Sequence, residues 1–242
     1  MMVIAPITFY IPCLFGLEGL VGDELRRLQM KNIRVENGHV LCEGTSADIA
    51  RLNLNLRCGE RVLIVLGMFT ATSFDALFEN TRMLPWENWI GREDAFPVKG
   101  YSLESVLHSV PDCQKIVKKA IAARLGQKYG LEQLPESGAK HQVQFAIMHD
   151  RTALFLDTSG AGLQKRGYRA VGVKAPLRET LAAAMVTLSR YRGKDLFCDP
   201  FCGSGTIAIE AALIAKNRAP GLDRSFDAQK WQCVAADSWL DA

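Results

Sequence analysis

The segment Asp199-Pro200-Phe201-Cys202-Gly203-Ser204-Gly205-Thr206 constrains this chain more than any other. A short apolar run, Leu196-Phe197-Cys198, precedes it and reads as a strand. Ile207 to Ala215 follows and reads as an apolar, Ala-rich helix. The pattern is therefore strand, tight glycine turn, helix. Two near-adjacent glycines let the backbone turn sharply and leave room for a ligand at the helix N-terminus. Asp199 ends the strand and faces that ligand. A carboxylate there repels a phosphate and attracts an ammonium group. Gly203 to Ala208 also satisfies the G-x-G-x-x-A spacing of dinucleotide sites, but the acid ahead of the first glycine argues against a pyrophosphate. No Walker lysine follows, which excludes a P-loop.

Residues 1–70 predict the order βαββαβ. Ile7 to Pro12 reads as a strand, and Leu17, Leu20, Val21, Leu25 and Leu28 mark one helix face. Ile33–Val35 and Val40–Cys42 flank Asn37-Gly38, a hairpin signal. Thr45 or Ser46 caps the next helix, through Ile49, Leu52 and Leu56. A strand from Val62 to Met68 closes a ferredoxin-like unit.

Residues 71–168 predict a second unit. A helix runs through Phe74, Leu77 and Phe78 and ends at Leu84-Pro85-Trp86, before a strand from Ala95 to Tyr101. Ser109 and Pro111 open a helix that Gly130 ends. Its apolar face is Val117, Ala120, Ile121 and Leu125; Gln114, Lys115, Lys118 and Lys119 lie off that face, with Arg124 and Lys128 beyond. Val143–Met148 and Ala153–Leu156 form a hairpin around His149-Asp150-Arg151. The third segment, 169–242, begins near Ala170 with a helix from Ala175 to Met185 ahead of the glycine turn. Pro220-Gly221 stops the helix after the turn, and no clear period follows through Trp231 and Trp239.

Asp-Pro-Phe-Cys-Gly-Ser-Gly-Thr before an Ala-rich helix resembles motif I of S-adenosylmethionine-dependent methyltransferases. Further matches are Lys99-Gly100, Gln114 to Ile121, Asp157-Thr158-Ser159-Gly160 and Gly162 to Arg169. Together they resemble the bacterial large-subunit rRNA guanine-N2 methyltransferases that carry a THUMP domain, with Gln164 where a His is common. The resemblance implies an α+β N-terminal part, with a ferredoxin-like module (1–70) and a THUMP domain (71–168). The start of an α/β Rossmann-like methyltransferase domain (169–242) follows. It implies S-adenosyl-L-methionine as cofactor, held by Thr180, Asp199, Pro200, Phe201, Cys202, Gly203, Ser204, Gly205 and Thr206. It implies ribosomal RNA as partner and methyl transfer to N2 of a guanine in 23S rRNA. RNA contact falls to Lys99, Lys115, Lys118, Lys119, Lys165, Arg166, Tyr168 and Arg169.

Lys165 to Arg169 offers cations and an aromatic suited to phosphate contact and base stacking; the alternative is a linker packed on the THUMP unit. For the helix lysines the alternative is a solvated face. No residue of the sequence is assigned to catalysis. The family's Asn-Pro-Pro-aromatic motif, which holds the exocyclic amine, is absent from this sequence and is expected outside it, with the chain truncated after motif I and inactive alone. Two other readings remain open: an RNA-binding module without catalysis, and an adenine-N6 methyltransferase.

Charged residues make up 23% of the chain, ordinary for a globular protein, and the net charge of +3 is by itself weak evidence for nucleic acid, since distribution matters more than total. No apolar run reaches the roughly 20 residues that span a bilayer. Pro6, Pro12 and Glu18 break up the first twenty residues, which lack a basic start. Seven scattered cysteines without Cys-x-x-Cys indicate a reducing, cytoplasmic setting, with Cys198 and Cys202 read as packed thiols. His39, His108, His141 and His149 share no metal or triad spacing and read as surface or turn residues. Glu210, alone among apolar neighbours, reads as an exposed or first-turn acid. Leu196, Phe197, Ile207, Ile209, Leu213 and Ile214 are expected to lack packing partners, with little protected structure beyond Ala170.

Overall fold

The protein is described by a computed structural model covering residues 6–169 and 176–242. The predicted starts at Ala170 and Ala175 lie outside the described residues.

Alternating burial of Ile7, Phe9 and Ile11 makes β1 (Ile7–Pro12) a strand with one face in the core. α1 (Glu18–Arg27), β2 (Lys31–Glu36), β3 (His39–Gly44), α2 (Ala47–Asn55) and β4 (Leu63–Thr70) complete the βαββαβ order. Asn37-Gly38 turns β2 into β3 as its sequence requires. The cap of α2 differs from expectation. Neither Thr45 nor Ser46 lends its hydroxyl to the helix; the Asp48 carboxylate instead accepts from the Thr45 N–H (2.7 Å) and hydroxyl (3.0 Å).

α3 (Phe74–Met83) starts on Ser73, whose hydroxyl accepts from the Ala76 N–H at 3.1 Å. β5 (Val98–Leu103) leads to α4 (Val110–Tyr129), with Pro in its first turn and Gly130 at φ 65° ending it. β6 (Gln142–Met148) and β7 (Arg151–Asp157) form the hairpin.

All seven strands belong to one sheet, ordered β2-β3-β1-β4-β7-β6-β5. The two units predicted from sequence therefore share a continuous ladder. β4 pairs antiparallel with β7, from Leu63↔Asp157 to Thr70↔Arg151. Only β5 and β6 pair in parallel among the described residues. Helices α1 to α4 bury Val21, Leu25, Ile49, Leu52, Leu77, Val117 and Ile121 in one cluster beneath the sheet. Burial of each such side chain contributes about 1.5–3 kcal/mol.

The third segment supplies α5 (Glu179–Leu188) and α6 (Thr206–Ala215). The strand expected at Leu196–Cys198 does not form, and Leu196 stands 97% exposed. A strand is held by its neighbours, and no described strand lies beside it. Cys198 and Cys202 are exposed, not packed.

Residues 220–240 depart further from expectation, because they are pinned to the N-terminal body. Gly221 N–H donates to Leu54 O (2.9 Å) and Ala228 N–H to Thr158 O (3.1 Å). Trp231, 2% exposed, donates from Nε1 to Lys140 O (3.0 Å) and stacks on His141, with ring centroids 4.5 Å apart. His141 is thus fully buried, contrary to its reading as a surface residue. Among the described residues no helix is long and apolar enough to cross a membrane.

Candidate cofactor turn and nucleic-acid interface

The glycine turn has the predicted conformation. Gly203 (φ 51°) and Gly205 (φ 73°) both lie in the left-handed region, and Gly205 is the N-cap of α6. Gly205 N–H donates to Cys202 O (2.7 Å), and Ile209 N–H donates to Gly205 O (2.9 Å). Side-chain space does not explain the glycines: a Cβ at Gly205 would sit 3.9 Å from Ile209 Cδ1. Their φ values explain them, because left-handed backbone costs other residues roughly 1–2 kcal/mol.

Asp199 Oδ1 accepts from the Phe201 N–H at 3.2 Å, while Oδ2 is buried with no partner. Phe201 is 94% exposed, and Pro200, Cys202 and Gly203 are exposed around it. The orphaned carboxylate oxygen suits the ammonium group of a ligand, and the open, donor-rich helix start beside it suits an acceptor on the same ligand. Thr206 is buried at the first position of α6, 3.3 Å from the Ser204 hydroxyl.

Thr180 does not join this turn. It is fully buried and donates to Glu60 Oε1 of the ferredoxin-like unit at 2.7 Å. That bond ties the start of α5 to the ferredoxin-like unit. Arg169 connects the two helices: its Nε bonds Glu179 Oε1 at 2.9 Å and its Nη2 donates to the Thr206 hydroxyl.

Arg166 is also not available to RNA. Only 3% exposed, it donates to Leu56 O (3.3 Å), Leu163 O (3.0 Å), Arg57 O (2.6 Å) and Glu210 Oε1 (3.3 Å). Glu210 is fully buried, which corrects its reading as an exposed acid. Burial pushes its carboxyl above the usual carboxylate range, and Arg166 opposes that shift. The Tyr168 hydroxyl donates to the same oxygen at 3.3 Å. Gly167 belongs here by close approach: at φ 94°, a Cβ would fall 1.9 Å from Asp223 O.

The remaining predicted cations sort by what already holds them. Lys115 is open, its side chain 79% exposed and 3.7 Å from Asp112. Lys119 is exposed, its ammonium 5.9 Å from the Phe78 ring centroid. Lys165 is exposed, and Lys99 is half-exposed, 4.0 Å from Asp157. Lys118 is engaged instead: it pairs with Glu136, donates to Phe96 O at 3.1 Å and lies 3.7 Å over the Phe96 ring. Arg124 is neutralised by a two-pronged pair with Glu87, at 3.0 and 2.6 Å.

Sequence reasoning missed Arg224. Its guanidinium bonds Gly162 O (2.6 Å), Ala161 O (2.6 Å) and Ser159 O (3.2 Å). Burial lowers its pKa to about 10. With Lys165, Tyr168, Arg169 and Arg178 it lines a crevice of about 760 Å³. No local signal marked it, because its partners lie more than sixty residues upstream.

The chain thus joins a helix-backed sheet with exposed cations to an acid–glycine turn that opens a helix. Three family profiles match in order: the RlmL ferredoxin-like domain over residues 8–63, the THUMP domain over 71–157, and the RMKL-like methyltransferase domain over 166–239. Between them the three matches take in most of the chain.

YpsC of Bacillus subtilis, named as a candidate RNA methyltransferase, is 45% identical over 229 residues, covering 94% of this chain and 59% of YpsC. The ribosomal RNA large subunit methyltransferase K/L of Psychromonas ingrahamii is 32% identical over 235 residues, covering 96% of this chain and 31% of that protein. A solved structure from Listeria monocytogenes, described as a candidate N6-adenine-specific DNA methylase, is 48% identical with a TM-score of 0.94. It covers 98% of this chain and 62% of its own. SMU.472, a candidate methyltransferase complexed with SAH, is 39% identical with a TM-score of 0.93, covering 98% of this chain and 63% of its own. The chain thus spans under two thirds of each of these proteins.

Proposed function

We propose that this chain supplies the RNA-binding half and the cofactor turn of an S-adenosylmethionine-dependent rRNA methyltransferase acting in the cytoplasm. Its target would be N2 of a guanine in 23S rRNA. The observation that carries the reading is the orphaned Asp199 Oδ2 beside the left-handed Gly203 and Gly205, on a chain that also carries a THUMP unit. Asp199 would hold the ammonium of the cofactor, and the backbone around Gly203 to Gly205 its approach. When bound, the cofactor supplies an electrophilic methyl group. Lys99, Lys115, Lys119 and Lys165 would hold the RNA through its phosphates, which fixes position without reading sequence. No residue of this chain is assigned to the chemical step. The relatives named for rRNA methylation and the relative complexed with SAH support the reading.

The Listeria relative's description favours a second reading in which the base is adenine. One experiment separates them. A full-length relative that carries the same three domains is incubated with labelled S-adenosylmethionine and unmodified large-subunit rRNA, and the digested nucleosides are resolved by mass spectrometry. N2-methylguanosine supports the first reading, and N6-methyladenosine moves the target to adenine. RNA binding without any methylated product leaves an RNA-binding module.

A further inference from the structure

A second cavity, of about 520 Å³, opens where the ferredoxin-like unit meets the far ends of α5 and α6. Its walls include Arg27, Arg57, Arg190, Tyr191, Arg192 and Asn217, and no carboxylate lies among the described residues that line it. Arg27, Arg190 and Arg192 form no ion pair among the described residues. Arg57 donates from Nη2 to Arg218 O at 2.8 Å, but its Nη1 is buried with no partner. Two buried acids lie behind it and offset its charge: Glu24 accepts from the Arg57 and Cys58 N–H groups through Oε2 and Glu210 pairs with Arg166 through Oε1, while the other oxygen of each is buried with no partner.

A plainer account is that these arginines answer helix dipoles. α1, α2, α5 and α6 all end near the cavity, at Arg27, Asn55, Leu188 and Ala215. Each C-terminus carries about half a negative charge, roughly two in total, and Glu24 adds one behind Arg57 while Glu210 is offset by Arg166, so four guanidinium groups leave an excess of about one positive charge. The dipoles do not absorb the cluster. Three exposed guanidinium groups without ion pairs, beside the half-buried Arg57, suit an anion with several acceptor oxygens, and phosphate fits the fork of arginine best. Tyr191, tilted against Phe197 with centroids 5.1 Å apart, adds an aromatic beside the cations. The cavity touches α6 at Ile214, so it lies about one helix length, ~15 Å, from the glycine turn.

We propose that this arginine-walled cavity binds backbone phosphates of an RNA strand, at a site separate from the cofactor turn and from α4. The RNA strand as occupant rests on the proposed function above. A single strand held here and on α4 would be gripped at two separate points of the body.

The test is fluorescence anisotropy of the full chain with a labelled RNA stem-loop across a salt series. Arg190→Ala/Arg192→Ala removes two exposed side chains, and circular dichroism checks that the variant folds. Its affinity should fall about tenfold, and the slope of log affinity against log salt should become shallower by about two. Arg190→Lys/Arg192→Lys should restore most of the slope. An unchanged slope in the alanine variant, with wild type binding RNA, overturns the cavity site and leaves the RNA reading standing. No binding by wild type overturns the RNA reading and this occupant together. Calorimetry with inorganic pyrophosphate separates a free anion: pyrophosphate binding without RNA binding also overturns the strand.

Discussion

Arg166 and Glu210 meet 3.3 Å apart with almost no solvent access, joining the segment after the THUMP unit to the middle of α6. Arg166 also binds carbonyls at Leu56 and Arg57, so one side chain ties three parts of the chain. Removing one partner of a buried pair leaves the other charge uncompensated. Arg166→Ala should therefore cost about 3–5 kcal/mol in urea unfolding. Replacing both residues with Met and Leu should cost much less. Equal losses in the single and double variants would show that the carbonyl contacts, not the ion pair, dominate.

His141 gives a pH dependence of definite sign. Burial against Trp231 lowers its pKa below the ordinary 6.5, although Asp94 opposes the shift. Between the folded pKa and 6.5 the unfolded chain binds more protons. The stabilisation is present above about pH 6.5 and is lost as pH falls through that window, at up to about 1.4 kcal/mol per unit. Thermal unfolding from pH 7.5 to 5 should show this decline. His141→Phe keeps the stacked ring and should flatten it.

Asp199 is the anchor expected for the cofactor's ammonium. Asp199→Ala should weaken S-adenosylmethionine binding by about 1–3 kcal/mol in calorimetry. Gly205→Val should also impair binding, because a β-branched residue resists the φ of 73° at the helix start. Wild-type affinity in both variants would dissociate the turn from the cofactor.

Lys115 and Lys119 are exposed cations of α4. Their joint replacement by Ala should weaken RNA binding evenly across sequences and make the salt slope shallower by about two. Lys118→Ala should change the slope little, since Glu136 already holds that ammonium. A larger effect from Lys118 than from the other two would place the RNA on a different edge of the helix.

What was legible in the sequence was local. Asn37-Gly38 marked its hairpin, Gly130 the end of α4, and Gly203 and Gly205 their turn, because each answers a constraint on its own backbone. The partners of Arg166 and Arg224 were not legible, since they lie far away in sequence and a basic residue there reads as solvent-facing. Glu210 misled for the same reason: the lone charge on an apolar helix was the signal of a buried pair. The joining of β4 to β7 left no trace in either strand's pattern, because alternation records which face is buried and not which neighbour is paired. The unformed strand at Leu196 shows the converse, a local apolar run without anything beside it.

The β4–β7 ladder runs the length of both strands, so the ferredoxin-like and THUMP units cannot swivel without breaking it. α4 is fixed to that sheet, and the Arg166–Glu210 pair fixes α6 to the same body. The lysines and the glycine turn therefore stand at the two jaws of a caliper. An RNA gripped at one jaw would offer to the other whichever nucleotide its own folded length puts there, so that selection would be by distance before any base is read.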